Sequence, residues 1–171
     1  MDYYGEMLAR YRNKGLLIDT GLLLLLIVGI LDPSRITRFK RTQTFSVEDY
    51  DLLKKIVNLF AKLATTPNIL TEVSNLLRQL PTESRHDFSR VFTNAIEQVE
   101  EHYQPSRELA RRSHFPVFGL TDSSIIDSCK GKYLVLTDDL PLSAYLTNLG
   151  LDAINFNHLR PLAWEFIHLA T

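Results

Sequence analysis

The stretch LLIDTGLLLLLIVGIL at residues 16–31 constrains this chain more than any other, because so much apolar surface has to be hidden somewhere. A bilayer is the first place to consider, since Arg10, Arg12 and Lys14 precede the run. As a helix, however, Gly21 to Leu31 rises only about 16 Å at 1.5 Å per residue, against a hydrocarbon core of about 30 Å. Extending it back to Leu16 still falls short and puts Asp19 inside the membrane, at about 2.5–3.5 kcal/mol. No small-residue cleavage site follows, so a secretory leader is not expected either. The remaining solution is a protein core. Leu16-Leu17-Ile18 reads as a short buried strand ending at Asp19, followed by a helix capped by Thr20 that runs to about Leu31, where Asp32-Pro33 stops it.

A strand and helix this apolar need cover on every side, and 171 residues with 45% hydrophobic content suffice for one domain. The expected domain spans 1–171, with a basic loop and a helical elaboration at about 33–64. Lys and Arg number 19 against 20 Asp and Glu, so no global excess draws nucleic acid or an anionic membrane, and such partners must be sought in local patches. One is RITRFKR, where Arg35, Arg38, Lys40 and Arg41 surround Phe39; a second gathers Arg107, Arg111, Arg112 and His114. The single cysteine, Cys129, cannot form an internal disulfide and has no zinc-like neighbours in sequence. It reads as a small buried hydrophobe, and its solitude favours a reducing, cytoplasmic setting.

Beyond the basic stretch 34–44, read as an exposed loop, Ser46 and Asp49 resemble a capping box for a helix continuing to about Ala64. Asn68-Ile69-Leu70 reads as extended, with Thr71 capping a helix that carries Glu72 in its first turn and ends at Pro81. A longer amphipathic helix is expected to about Tyr103, with another starting at Pro105, which makes the middle of the chain wholly helical. Pro116-Val117-Phe118 reads as a strand, followed by a helix over 122–129 that Gly131 terminates. The clearest unit is the last: a strand at 133–137, Asp138-Asp139, a helix from Pro141 to Gly150 and a strand at 152–156, with a closing helix over 158–168. Short strands alternating with helices predict an α/β fold, three layers around a mostly parallel sheet.

In such a sheet ligands collect beyond the carboxyl ends of the strands. Asp19 and Asp139 fall there, each between an apolar run and a helix; Asp122 and Glu72 are the other candidates. Taken singly, each acid reads as a capping or dipole-friendly residue of a first helical turn before it reads as a ligand, worth about 0.3–1 kcal/mol. Together, four converging carboxylates repel unless cations sit between them. Oxygen donors without Cys or clustered His suit Mg²⁺ or Mn²⁺, and a pair of such ions can drive an in-line phosphodiester displacement. Asp127 lies beyond the first turn of its helix and reads as a supporting or surface acid, while Asp138 is adjacent enough to Asp139 to support the site.

The order and context of these acids resemble the PIN-domain nucleases. The resemblance rests on LLIDTGLLL at 16–24 with Asp19, NILTEVSNLL at 68–77 with Glu72, GLTDSSIID at 119–127 with Asp122, and YLVLTDDLPLSAYLTNLGLDAINF at 133–156 with Asp139. It covers about 16–156, and Thr137-Asp138-Asp139 matches the family's last motif of Thr, a small polar residue and an acid. The resemblance implies a Mg²⁺- or Mn²⁺-dependent endoribonuclease that leaves a 5′-phosphate and a 3′-hydroxyl. Asp19, Glu72, Asp122 and Asp139 would hold the metals, with Thr20 and Thr137 orienting them. Many prokaryotic members are toxins paired with an antitoxin and form homodimers. Two departures stand out: 33–64 is longer than in compact toxins, and Gly21 occupies a position where the family often carries a side chain.

The RITRFKR loop is expected to contact RNA, its four cations on phosphates and Phe39 stacked on a base. Rival readings have less support. A phosphatase with an aspartyl nucleophile wants a second acid two residues after Asp19, where Gly21 stands; a phosphoacceptor receiver wants an acidic pair near its first strand; and no Ser-His-Asp pattern is present. A non-catalytic interaction module on the same fold is the reading from another class.

Overall fold

The structure is a computed structural model that describes residues 3–163. The expected first strand, β1 (Leu16–Ile18), is buried throughout. Ahead of it lies α1 (Tyr3–Tyr11), unassigned from sequence, which buries Met7, Leu8 and Tyr11. The apolar run becomes α2 (Thr20–Leu31), with Asp19 rather than Thr20 as its N-cap. Every residue from Leu22 to Gly29 is buried, so α2 has no solvent face along that span. Among the described residues no helix is long and apolar enough to cross a membrane.

The chain continues through α3 (Val47–Asn58), β2 (Leu63–Thr65), α4 (Pro67–Leu77), α5 (Thr82–Gln98), β3 (Val99–Glu101), α6 (Ser106–Leu109), α7 (Phe115–Cys129), β4 (Leu134–Thr137), α8 (Leu140–Asn148), β5 (Ala153–Asn155) and α9 (Phe156–Leu159). The five strands lie in the order β3-β2-β1-β4-β5, and every neighbouring pair is parallel. Right-handed crossovers leading from β1 out to β3 put their helices on one face, and those returning to β4 and β5 put theirs on the other. Accordingly α2 packs on α3, α4 and α5, while α7 packs on β4 and α8. The result is a three-layer α/β/α fold, as the sequence pattern predicts.

Several element boundaries differ from expectation. Helix α3 is closed by the capping box of Ser46 and Asp49 but stops at Asn58, and the tail assigned to it supplies β2. The segment 68–70 is helical, because Thr66 caps α4 from Pro67; Glu72 therefore sits in the second turn. Helix α5 ends at Gln98, and Val99–Glu101 forms the edge strand β3, so the middle of the chain is not wholly helical. Pro105 is the N-cap of α6 rather than its first residue. Residues 116–118 are helical rather than a strand; the break comes at Gly119, whose φ of 69° and ψ of −165° kink α7 just before Asp122. Of the closing helix expected over 158–168, the structure has α9 and a 3₁₀ turn at Arg160–Leu162, and residues 164–168 lie outside the described residues. Cys129 is buried, which pushes its thiol up to about 11, consistent with a packing role.

Within the helical layer, α2 and α3 meet closely at Gly29, where an added Cβ would stand 2.3 Å from Tyr50 Cδ2. Alanine is the better helix former by about 1 kcal/mol, but overpacking costs about 1–3 kcal/mol, so the clash decides the sign. Gly29→Ala is expected to lower the urea midpoint, with much of the loss recovered by adding Tyr50→Leu. A midpoint raised by Gly29→Ala alone would contradict this packing.

Candidate active site

Strands β1 and β4 are neighbours, yet the chain leaves them in opposite directions, toward β2 and toward β5. Such a switch point opens a crevice at the carboxyl ends of the two strands. Asp19 ends β1 and caps α2, while Asp139 follows β4 and caps α8 by accepting from the Leu142 N–H at 2.8 Å. Both carboxylates thus sit at the positive ends of helix dipoles.

Hydrogen bonds link these acids across the crevice. The Thr137 hydroxyl donates to Asp19 Oδ2 at 2.5 Å and accepts from the Asp139 N–H at 2.9 Å. Asp19 Oδ1 accepts from the Thr20 N–H at 2.6 Å, and the Thr20 hydroxyl donates to Glu72 Oε2 at 3.0 Å. Thr20 and Thr137 therefore each hold an acid by a hydroxyl hydrogen bond. Asp138 leans over the first turn of α2, where a Cβ on Gly21 would stand 2.7 Å from its Oδ1. A side chain at position 21 would therefore push Asp138 away.

The electrostatics agree with the geometry. Asp19 is only 7% exposed, and desolvation raises its pKa to about 6 against the help of Thr137 and Thr20. Asp122 is raised to about 7, first by burial and then by the charges of Asp19, Asp139 and Glu72. Burial, and after it the charge of Asp139, also raises Asp138. The acids therefore feel one another, although among the described residues no three are gathered around a single point. None of Asp19, Glu72, Asp122, Asp138 or Asp139 has an ion-pair partner among the described residues. Outside the crevice, Asp32, Asp49, Asp127 and Asp152 are each held by arginine, and Asp51 by lysine. Asp127 in particular is buried and bound by Arg112 at 2.6 Å and Lys130 at 3.1 Å, an ion cluster apart from the crevice and not a surface acid.

The RITRFKR segment is a loop of turns with Thr37, Arg38, Lys40 and Arg41 exposed, as the sequence suggests, but its aromatic is not free. It starts at the far end of α2, about 18 Å of helix from Asp19. Phe39 is 9% exposed and packs in the core along with Ile36 and Phe45, so it offers no free face for a base. Arg35 is tied to Asp32 at 3.1 Å, Arg38 to the Ser34 hydroxyl at 2.5 Å, and Arg41 to Gln79 at 2.8 Å. Among the described residues, Lys40 alone of the four cations is exposed without a hydrogen bond or ion pair. Buried side chains at 36, 39, 42 and 45 give the segment a spacing of three that its charges mask.

A feature the sequence reading missed adjoins the acids. A cleft of about 360 Å³ is lined by Glu72, Asn68 and Asn75 from α4, by Tyr103 and Gln104 after β3, and by Thr121 beside Asp122. Its only sequence signal was an aromatic next to an amide just past a strand, and that strand was itself hidden. Set against models of known families, curated proteins and solved structures, the chain finds no match in any of the three. The resemblance to PIN-domain nucleases therefore rests on the four sequence motifs alone.

Crowded acids should make the metal-free protein acid-tolerant. Because the Asp122 pKa is raised, the folded state keeps a proton that the unfolded chain has released between about pH 4 and 7, so stability falls as the pH rises through that window. In chelator at pH 7, Asp122→Asn is expected to gain about 1–2 kcal/mol, discounted because the carboxyl is partly in water. The gain should shrink toward pH 4 in denaturant titrations. A gain that grows on acidification would contradict the assignment.

Proposed function

We propose that the crevice between β1 and β4 binds divalent cations and hydrolyses RNA phosphodiester bonds, as in the PIN-domain nucleases that the motifs resemble. The observation that carries this reading is that Asp19, Asp122 and Asp138 are buried or half-buried with no cationic side chain to pair them, where every other buried or half-buried aspartate among the described residues has one, and that the charges of Glu72 and Asp139 add to theirs. Such a site has an unmet demand for positive charge, and its donors are oxygens, which suits Mg²⁺ or Mn²⁺. Asp19, Glu72, Asp122 and Asp139 are the residues that would hold the ions. When bound, two such ions supply the Lewis acidity that activates water and takes up charge on the leaving oxygen.

The chain's own contribution is positioning. Thr137 holds the Asp19 carboxylate and the Asp139 backbone in one frame, and Thr20 aims Glu72. Asp19 and Asp139 are anchored by helix N-caps, whereas Glu72 is on the exposed side of α4 and has to swing inward for the oxygens to meet. The alternative is a non-catalytic interaction module on this fold. The exposure of Glu72 and Asp139, two of the four carboxyls that would have to meet, is the observation that favours it. A toxin role, an antitoxin and a homodimer remain implications of the resemblance.

The experiment is cleavage of labelled single-stranded and hairpin RNAs with Mn²⁺, Mg²⁺ or chelator, for wild type, Asp19→Asn and Asp139→Asn. Loss of a residue that merely supports a metal ligand costs about 10–100-fold, so loss of a ligand should cost at least about 100-fold. Metal should also raise the melting temperature of the wild type, with about 2.7 kcal/mol of stabilisation at 100 times its dissociation constant. Undiminished cutting by both variants would assign the activity to something other than this crevice. No cutting and no metal-induced shift would support the interaction module.

A further inference from the structure

The cleft beside Glu72 has a chemistry of its own. Tyr103, on the segment between β3 and α6, is 75% exposed and makes no ring contact among the described residues. An aromatic ring left this open beside an acid crevice is a free stacking face. Around it stand amides that donate and accept hydrogen bonds: Asn68 and Asn75 from α4, and Gln104, whose Oε1 is buried without a partner. Among the described residues no Lys, Arg or His lines the cleft, and its one charged residue is Glu72. The occupant is therefore not a phosphate. A flat, uncharged ring with hydrogen-bonding edges fits instead, in a volume of about 360 Å³ that is within the range of small-ligand clefts.

Resting on the nuclease reading above, we propose that this cleft seats one unpaired base of the RNA strand, adjacent to the phosphate held at the acids, with Tyr103 as its stacking face. Position supports this. Glu72 belongs to both cleft and crevice, and Thr121 on the cleft wall is the neighbour of Asp122, so a base seated here brings its own backbone to the carboxyls. Past Ser106 on the rim, Arg107 and Arg111 are exposed and have no ion-pair partner among the described residues, which leaves them free for the backbone further along the strand. This assigns to the 103–111 segment the role that the sequence suggested for RITRFKR. A base in a duplex is covered on both faces, so the seat selects single strands or loops.

The test is fluorescence anisotropy with a labelled, mixed-sequence single-stranded RNA 12-mer and an abasic 12-mer of the same backbone, in Ca²⁺, for wild type, Tyr103→Ala and Tyr103→Trp. Each variant alters an exposed side chain, so an unchanged melting temperature checks the fold. The wild type should prefer the base-bearing strand. Tyr103→Ala should weaken binding to that strand about 5- to 100-fold and leave the abasic strand unaffected, while Tyr103→Trp should retain wild-type binding. Cleavage of the same 12-mer in Mn²⁺ separates this inference from the one beneath it. If the wild type cuts but Tyr103→Ala binds as well as wild type, or the two strands bind alike, the base seat is overturned and the nuclease stands. If Tyr103 governs base binding but nothing is cut, the hydrolytic reading is overturned and the seat stands. No binding of either strand by the wild type overturns the seat as well.

Discussion

The enclosure of α2 on all sides decides where Asp19 must lie. A helix apolar around its whole circumference can be covered only from several directions at once, here by the sheet on one side and by α3, α4 and α5 on the others. Its N-cap is drawn in with it, to the carboxyl edge where β1 meets β4. Burying a carboxylate there costs free energy that two hydrogen bonds, from Thr20 N–H and the Thr137 hydroxyl, offset only in part. The remainder shows in a pKa raised to about 6. The folding requirement of the most apolar segment and the electrostatic tension of the crevice are thus one arrangement, and stability is given up where function is expected to need it.

How far the sequence reveals this depends on how local each signal is. The elements β1, α2, β4, α8 and β5 were legible because each carries an apolar run with a cap or a glycine at its end. The strands β2 and β3 were not. Leu63-Ala64-Thr65 continues the helical spacing of α3, and Val99-Glu100-Glu101 has a half-buried valine followed by two exposed glutamates, as suits an edge strand. Three-residue strands owe their state to pairing with residues far along the chain, as when Leu63 pairs with both Leu16 and Val99, and no local pattern records that. Conversely, Val117 and Phe118 favour strands by type yet are helical, because the chain needs a turn of helix before Gly119 re-aims it.

The candidate site divides along the same line. Acids at strand ends could be named from sequence because position after a strand is a local property, and the structure couples the charges of Asp19, Glu72, Asp122 and Asp139. The substrate face could not. Phe39, among four cations, looked like a stacking residue and is a core residue, since burial at every third position through residues 36–45 is set by packing against the helices. Tyr103 looked like the tail of a helix and, with Gln104, lines a cleft, because β3 ends just ahead of them and turns the chain toward the acids.

The most direct measurement is a crystal soaked in millimolar Mn²⁺ and read by anomalous scattering, which locates the ion without relying on activity. The expected result is an anomalous peak between Asp19, Glu72, Asp122 and Asp139, with the Glu72 side chain turned inward to meet it. A crevice with no peak, or a peak elsewhere with these carboxyls unmoved, would contradict the claim that they form a metal site.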